Sequence, residues 1–142
     1  MRLEIERVLP AARVDVFAAF ADHQELAQWW GPEGFTIPSL EFEPRAGEGY
    51  RIEMQPPEGD SFHLTGEFRE VEPTERLAFT FVWEPAAEDD VETLVELSFR
   101  ELDEATEVRL AQGEFKTEER LELHRDGWGD SFDKLERLLA AA

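Results

Sequence analysis

The chain has 142 residues, 42 % apolar and 11 % aromatic, which fits a single globular domain (1–142) with its own core. A formal charge of −20 argues against DNA, RNA and anionic lipid surfaces as partners, because all three would be repelled. With no cysteine there are no disulfides, thiolate zinc sites or cysteine nucleophiles, and no apolar run nears the roughly 20 residues of a membrane span.

Residues 2–9, RLEIERVL, alternate with Leu3, Ile5 and Leu9 on one face, the period of a strand. Pro10 ends it. The segment 12–21, ARVDVFAAFA, reads as a short helix burying Val16, Phe17 and Phe20. Asp22, with Glu25 three residues on, has the spacing of a capping box for a second short helix, which Gly31-Pro32 closes. Six strands follow: 35–44, where Pro38 implies an edge or bulge, 50–55, 61–71, 76–83, 91–102 and 106–115. Gly66 inside the third of these implies a bend or bulge. Short links and a two-residue period make the sheet antiparallel. From Thr117 onward, Leu121, His124, Trp128, Phe132, Leu135 and Leu139 form one apolar stripe along a final helix. A single amphipathic helix must lie against the concave face of the sheet, since nothing else covers it. The fold class is therefore α+β, with about seven antiparallel strands curved round a long C-terminal helix and two short helices after the first strand.

Three motifs point further. LAQWWGPEGF (26–35), GEFREVEPTERLAFTFVWE (66–84) and HRDGWGDSFDKLERLL (124–139) resemble segments of domains related to the heat-shock-protein-90 ATPase activator. These belong to the START-like (SRPBCC) superfamily with its helix-grip fold. The resemblance spans essentially the whole chain. It implies a deep, mostly apolar cavity between sheet and long helix, and superfamily members bind lipids, hormones or polyketides, with a few catalysing cyclisation. The eukaryotic activator contacts the chaperone through a further N-terminal domain for which this chain has no room, so chaperone activation is not expected to carry over.

Within that fold, Trp29, Trp30, Phe35, Phe81, Trp83, Trp128 and Phe132 are the aromatic residues expected near the cavity, with Met54 as an adaptable wall. Taken singly, each reads as core; as a set within that fold, some should line a pocket. His124 falls in the apolar stripe one turn before Trp128. It is either a hydrogen-bonding anchor or acid–base group facing the cavity, or a structural histidine bonded to strand backbone or a carboxylate. Gln112 shares a strand phase with Val108 and Leu110 and could orient a ligand; Glu114, on the same phase, reads as a strand end in solvent. His23, His63 and His124 have no metal-ligand spacing, and no metal, cofactor or catalytic residue is expected. The acidic runs near 88–90, 101–104 and 118–119 read as solvated surface.

Gly127 and Gly129 flank Trp128, although glycine in a helix costs about 1 kcal/mol relative to alanine. Either they let neighbouring backbone approach while the indole points inward, or the helix breaks and Asp126 caps a new start. The expected function is binding of a small hydrophobic or amphipathic molecule by a monomer or homodimer. A cyclase or hydratase acting on an aromatic or polyketide substrate, and a protein-interaction module, are the alternatives. MRLEIERVLP lacks the apolar core of a signal peptide, so a cytoplasmic location is expected. Only two lysines, Lys116 and Lys134, occur. Acidic, lysine-poor composition fits either high intracellular salt or a GC-rich genome with a soluble acidic protein, and melting temperature against salt separates the two.

Overall fold

The computed structural model describes residues 1–141. Its elements are β1 (Leu3–Leu9), α1 (Arg13–Ala21), α2 (His23–Leu26), β2 (Leu40–Phe42), β3 (Gly49–Met54), β4 (Phe62–Glu72), β5 (Arg76–Glu84), β6 (Thr93–Glu101), β7 (Thr106–Gly113) and α3 (Glu118–Ala140). One curved antiparallel sheet carries them in the order β1-β7-β6-β5-β4-β3-β2, with β1 joined to β7 rather than to β2. This is the helix-grip arrangement. No helix among the described residues is long and apolar enough to cross a membrane.

Local signals explain two of the three helix starts. Asp22 accepts from the backbone of Gln24 and Glu25 and starts α2, and Thr117 accepts from Arg120 N and starts α3. Leu3 and Leu9 of β1, Val108 and Leu110 of β7, and Val95, Leu97 and Phe99 of β6 are buried on the concave face. Phe20, Phe132 and Leu135 close on them from the helix side.

Helix α2 ends at Leu26 rather than at Gly31-Pro32, and two strand expectations need correction as well. The strand expected over 35–44 is only Leu40–Phe42 plus one isolated bridge, Thr36 to Gln55, because Pro38 has no N–H to extend the ladder. The bulge falls between Phe68 and Glu70 rather than at Gly66. Gly66 instead marks a crossing: the Tyr50 ring passes over it so that the Tyr50 hydroxyl donates to Thr80 O at 2.6 Å.

α3 runs unbroken through Gly127 and Gly129, so the reading of a helix break is excluded. The close-approach reading also fails. A methyl group at Gly127 would meet only Pro32 Cγ at 3.9 Å, and at Gly129 it would meet nothing within 4 Å. Gly129→Ala is therefore expected to stabilise the protein by about 0.5–1 kcal/mol through helix propensity. Urea denaturation checks this, and a loss of stability would contradict the open surroundings of Gly129.

Candidate functional site: a cavity under the C-terminal helix

A cavity of about 410 Å³ lies between the N-terminal half of α3 and one end of the sheet. From α3 it is lined by Arg120, Leu123, His124, Gly127, Trp128 and Ser131. Their spacing of three and four residues is one stripe of a helix. Across from it stand Met54 of β3, Phe62 of β4, and Phe81 and Trp83 of β5, all of inward strand phase. The α2–β2 loop adds Trp30, Gly31 and Pro32, and the β5–β6 loop adds Pro85, Ala87 and Asp90. Gly127 sits in the middle of the helical stripe, so its missing side chain is open cavity.

Six of the ten residues expected at the cavity line it: Trp30, Met54, Phe81, Trp83, His124 and Trp128. Four do not. Trp29 is fully buried behind Trp30, edge-on to Phe20, and its indole donates to Ala19 O at 3.0 Å. Phe132 is fully buried one turn beyond Trp128, against Phe20 and under the Arg7 guanidinium. Phe35 packs edge-on against Phe62 and is not part of the cavity wall. Gln112 is fully buried with both ends of its amide in use: its nitrogen donates to Thr93 Oγ1 at 2.9 Å, and its oxygen accepts from Trp128 Nε1 at 2.8 Å. It holds the Trp128 indole in place rather than facing the cavity. Glu114 lies outside, paired with the N-terminal amine.

His124 has both ring nitrogens occupied. Nδ1–H donates to Arg120 O at 2.8 Å, and Nε2 accepts from Trp83 Nε1 at 3.0 Å. These bonds fix the neutral tautomer. Burial holds the imidazole below its ordinary range, against the opposing pull of the Arg120 carbonyl and Asp90. The imidazole at the cavity wall is therefore bonded to an indole and to its own helix, and it ties the Trp83 ring to α3.

A pH dependence follows. On acidification the unfolded chain protonates this imidazole near pH 6.5, while the native state takes up the proton only at lower pH. Stability is therefore intact above pH 6.5 and falls as pH drops through that value towards the depressed native one. At pH 5.5 the loss is at most about 1.4 kcal/mol relative to pH 7.5. Glu25, raised chiefly by burial, opposes this but in the carboxylate range. Urea denaturation at the two pH values should reveal the loss in wild type and its disappearance in His124→Gln; equal losses in both would contradict the assignment.

Two straps hold the rims of the cavity to α3. Arg120 Nε meets Asp89 Oδ1 at 3.0 Å and Asp90 Oδ1 at 3.2 Å, while Thr117 donates to Asp89 at 3.1 Å. The Arg120 bond is the main reason the Asp89 carboxyl lies below its ordinary value. The acidic run 88–90 is therefore a clamp rather than plain solvated surface. On the other rim, Ser131 donates to Gly31 O at 3.0 Å, Lys134 Nζ donates to Pro32 O at 3.2 Å, and Arg137 pairs with Glu33 at 2.7 Å. Neither strap was readable from the sequence, since each joins residues 28 or more positions apart.

Known proteins share this fold. Residues 10–140 match the family described as Activator of Hsp90 ATPase homolog 1-like protein. The chain belongs to that family. Among solved structures, protein CV1439 from Chromobacterium violaceum is 27 % identical with a TM-score of 0.89, covering 97 % of this chain and 96 % of that one. The AHSA1 protein SPO3351 from Silicibacter pomeroyi is also 27 % identical, with a TM-score of 0.88 and 99 % of each chain covered. Among curated proteins the chain matches none.

Proposed function

We propose that the protein binds a small, largely apolar ligand in the cavity beneath α3, as a cytoplasmic binding protein. The observation that carries this reading is the wall chemistry. Trp30, Phe62, Phe81, Trp83 and Trp128 present aromatic surface together with Met54, and the Trp83 and Trp128 indoles have their N–H groups bonded within the protein. A space of about 410 Å³ falls within the roughly 300–1,000 Å³ of small-molecule sites. The rings are held in place by the His124 and Gln112 bonds, so binding need not order them.

The same geometry favours binding over catalysis. His124 offers no free basic nitrogen, and a ligand reaching Nε2 must displace the Trp83 indole. Titration of the full chain with Nile red, a neutral dye that brightens in apolar surroundings, tests the proposal. One dye per chain, displaced by added apolar aromatics, is expected. No saturable binding overturns it.

A further inference from the structure

Three of the four tryptophan N–H groups have protein acceptors: Trp29 on Ala19 O, Trp83 on His124 and Trp128 on Gln112. Among the described residues the Trp30 indole nitrogen has none, although the residue is only 6 % exposed. Buried indoles normally find a partner, and leaving one without is unfavourable. No fully enclosed side-chain nitrogen or oxygen of the described residues is left unpartnered, so Trp30 Nε1 must touch open space. Two cavities have this residue in their walls. One is a void of about 10 Å³ walled by phenylalanines, leucines, Ile52 and Tyr50, too small to seat a water securely. The other is the main cavity. The ring is wedged between Trp29 and Trp128, at centroid distances of 5.6 and 5.2 Å, and Lys134 Nζ holds its backbone carbonyl at 3.4 Å.

Resting on the cavity reading above, we infer that Trp30 Nε1–H is the donor that selects the ligand, and that the ligand carries a neutral oxygen acceptor, a carbonyl or ether, on a flat apolar body. A carboxylate fits poorly. The Arg120 guanidinium at the rim lies between Asp89 and Asp90, so that cluster is net negative, and the His124 imidazole is held neutral by its two bonds. The chain as a whole carries −20. A hydrocarbon fits by shape but leaves the donor unpaired.

Three probes of one shape test this: 2-acetylnaphthalene, 2-isopropylnaphthalene and 2-naphthoate, titrated calorimetrically into the full chain and into Trp30→Phe. The ratio of ketone to hydrocarbon affinity is expected to fall about three- to tenfold in Trp30→Phe, with naphthoate the weakest ligand of wild type. In ¹H–¹⁵N spectra of wild type, the Trp30 indole resonance, assigned through its own backbone, moves downfield with the ketone but not with the hydrocarbon. That second readout decides the matter if Trp30→Phe does not fold. Binding of ketone and hydrocarbon with an unchanged ratio in the variant and no indole shift overturns the role of Trp30 and leaves the cavity reading standing. Tightest binding by naphthoate overturns the neutral acceptor. Binding of no probe at all, with no Nile red uptake, removes the cavity reading and this inference with it.

Discussion

Gly66→Ala is expected to destabilise the protein by about 3 kcal/mol or more, a large part of a typical 5–15 kcal/mol total. A methyl group there would lie 1.9 Å from Thr80 O and 2.6 Å from Tyr50 Cε1. Backbone on one side and a buried ring on the other leave no soft neighbour to yield. Strands β4 and β5 would have to part, breaking the Tyr50 to Thr80 O bond and the 2.8 Å bond from Glu67 N to Thr80 Oγ1. Tyr50 sits among Phe42, Phe68 and Phe79, so the disturbance enters the aromatic core. Gly49→Ala is the control, since its added methyl would stand 3.5 Å from Gly66 O, an ordinary contact. Chemical denaturation of the two variants measures the contrast. Equal, small effects would mean that the crossing of Tyr50 over Gly66 is not tight.

The second large effect is on binding. Gly127→Leu is expected to weaken ligand affinity about 10- to 100-fold while leaving the fold at least as stable as wild type. Position 127 lies on the cavity stripe of α3 between His124 and Ser131, and a methyl group added there would meet only Pro32 Cγ, at 3.9 Å. A leucine side chain therefore enters free space and displaces ligand rather than core. Leucine is also the better helix former by about 0.8 kcal/mol. Denaturation and Nile red titration of the same preparation separate the two effects. Unchanged affinity in a folded variant would place the ligand elsewhere.

The glycine at 127 also marks how far sequence reaches. Alternation in 50–55, 76–83 and 106–115 and the stripe from Leu121 to Leu139 were enough for the strands, the long helix and their concave packing, because burial imposes those periods directly. Three family-like motifs agreed with that architecture. Periodicity identifies an inward face, however, and not which inward residues meet each other and which meet empty space. Trp29 and Trp30 are adjacent and both buried, yet one donates to Ala19 O and the other borders the cavity. Gln112 stands on an inward phase, as expected, but its partners Thr93 and Trp128 come from a neighbouring strand and a distant helix. Phe132 continues the stripe of Trp128 beyond the end of the cavity. The acidic run 88–90 read as solvated surface because its acids have no local partner; only the folded chain brings Arg120 to Asp89 and Asp90.

The measurement that tests the central claim most directly is native mass spectrometry of gently purified protein, wild type beside Gly127→Leu. A wild-type mass carrying one small apolar molecule, absent from the equally stable variant, is the predicted result, and solvent extraction then identifies the molecule. A bare mass for both proteins, with no Nile red or naphthalene probe taken up at any concentration, would contradict the account.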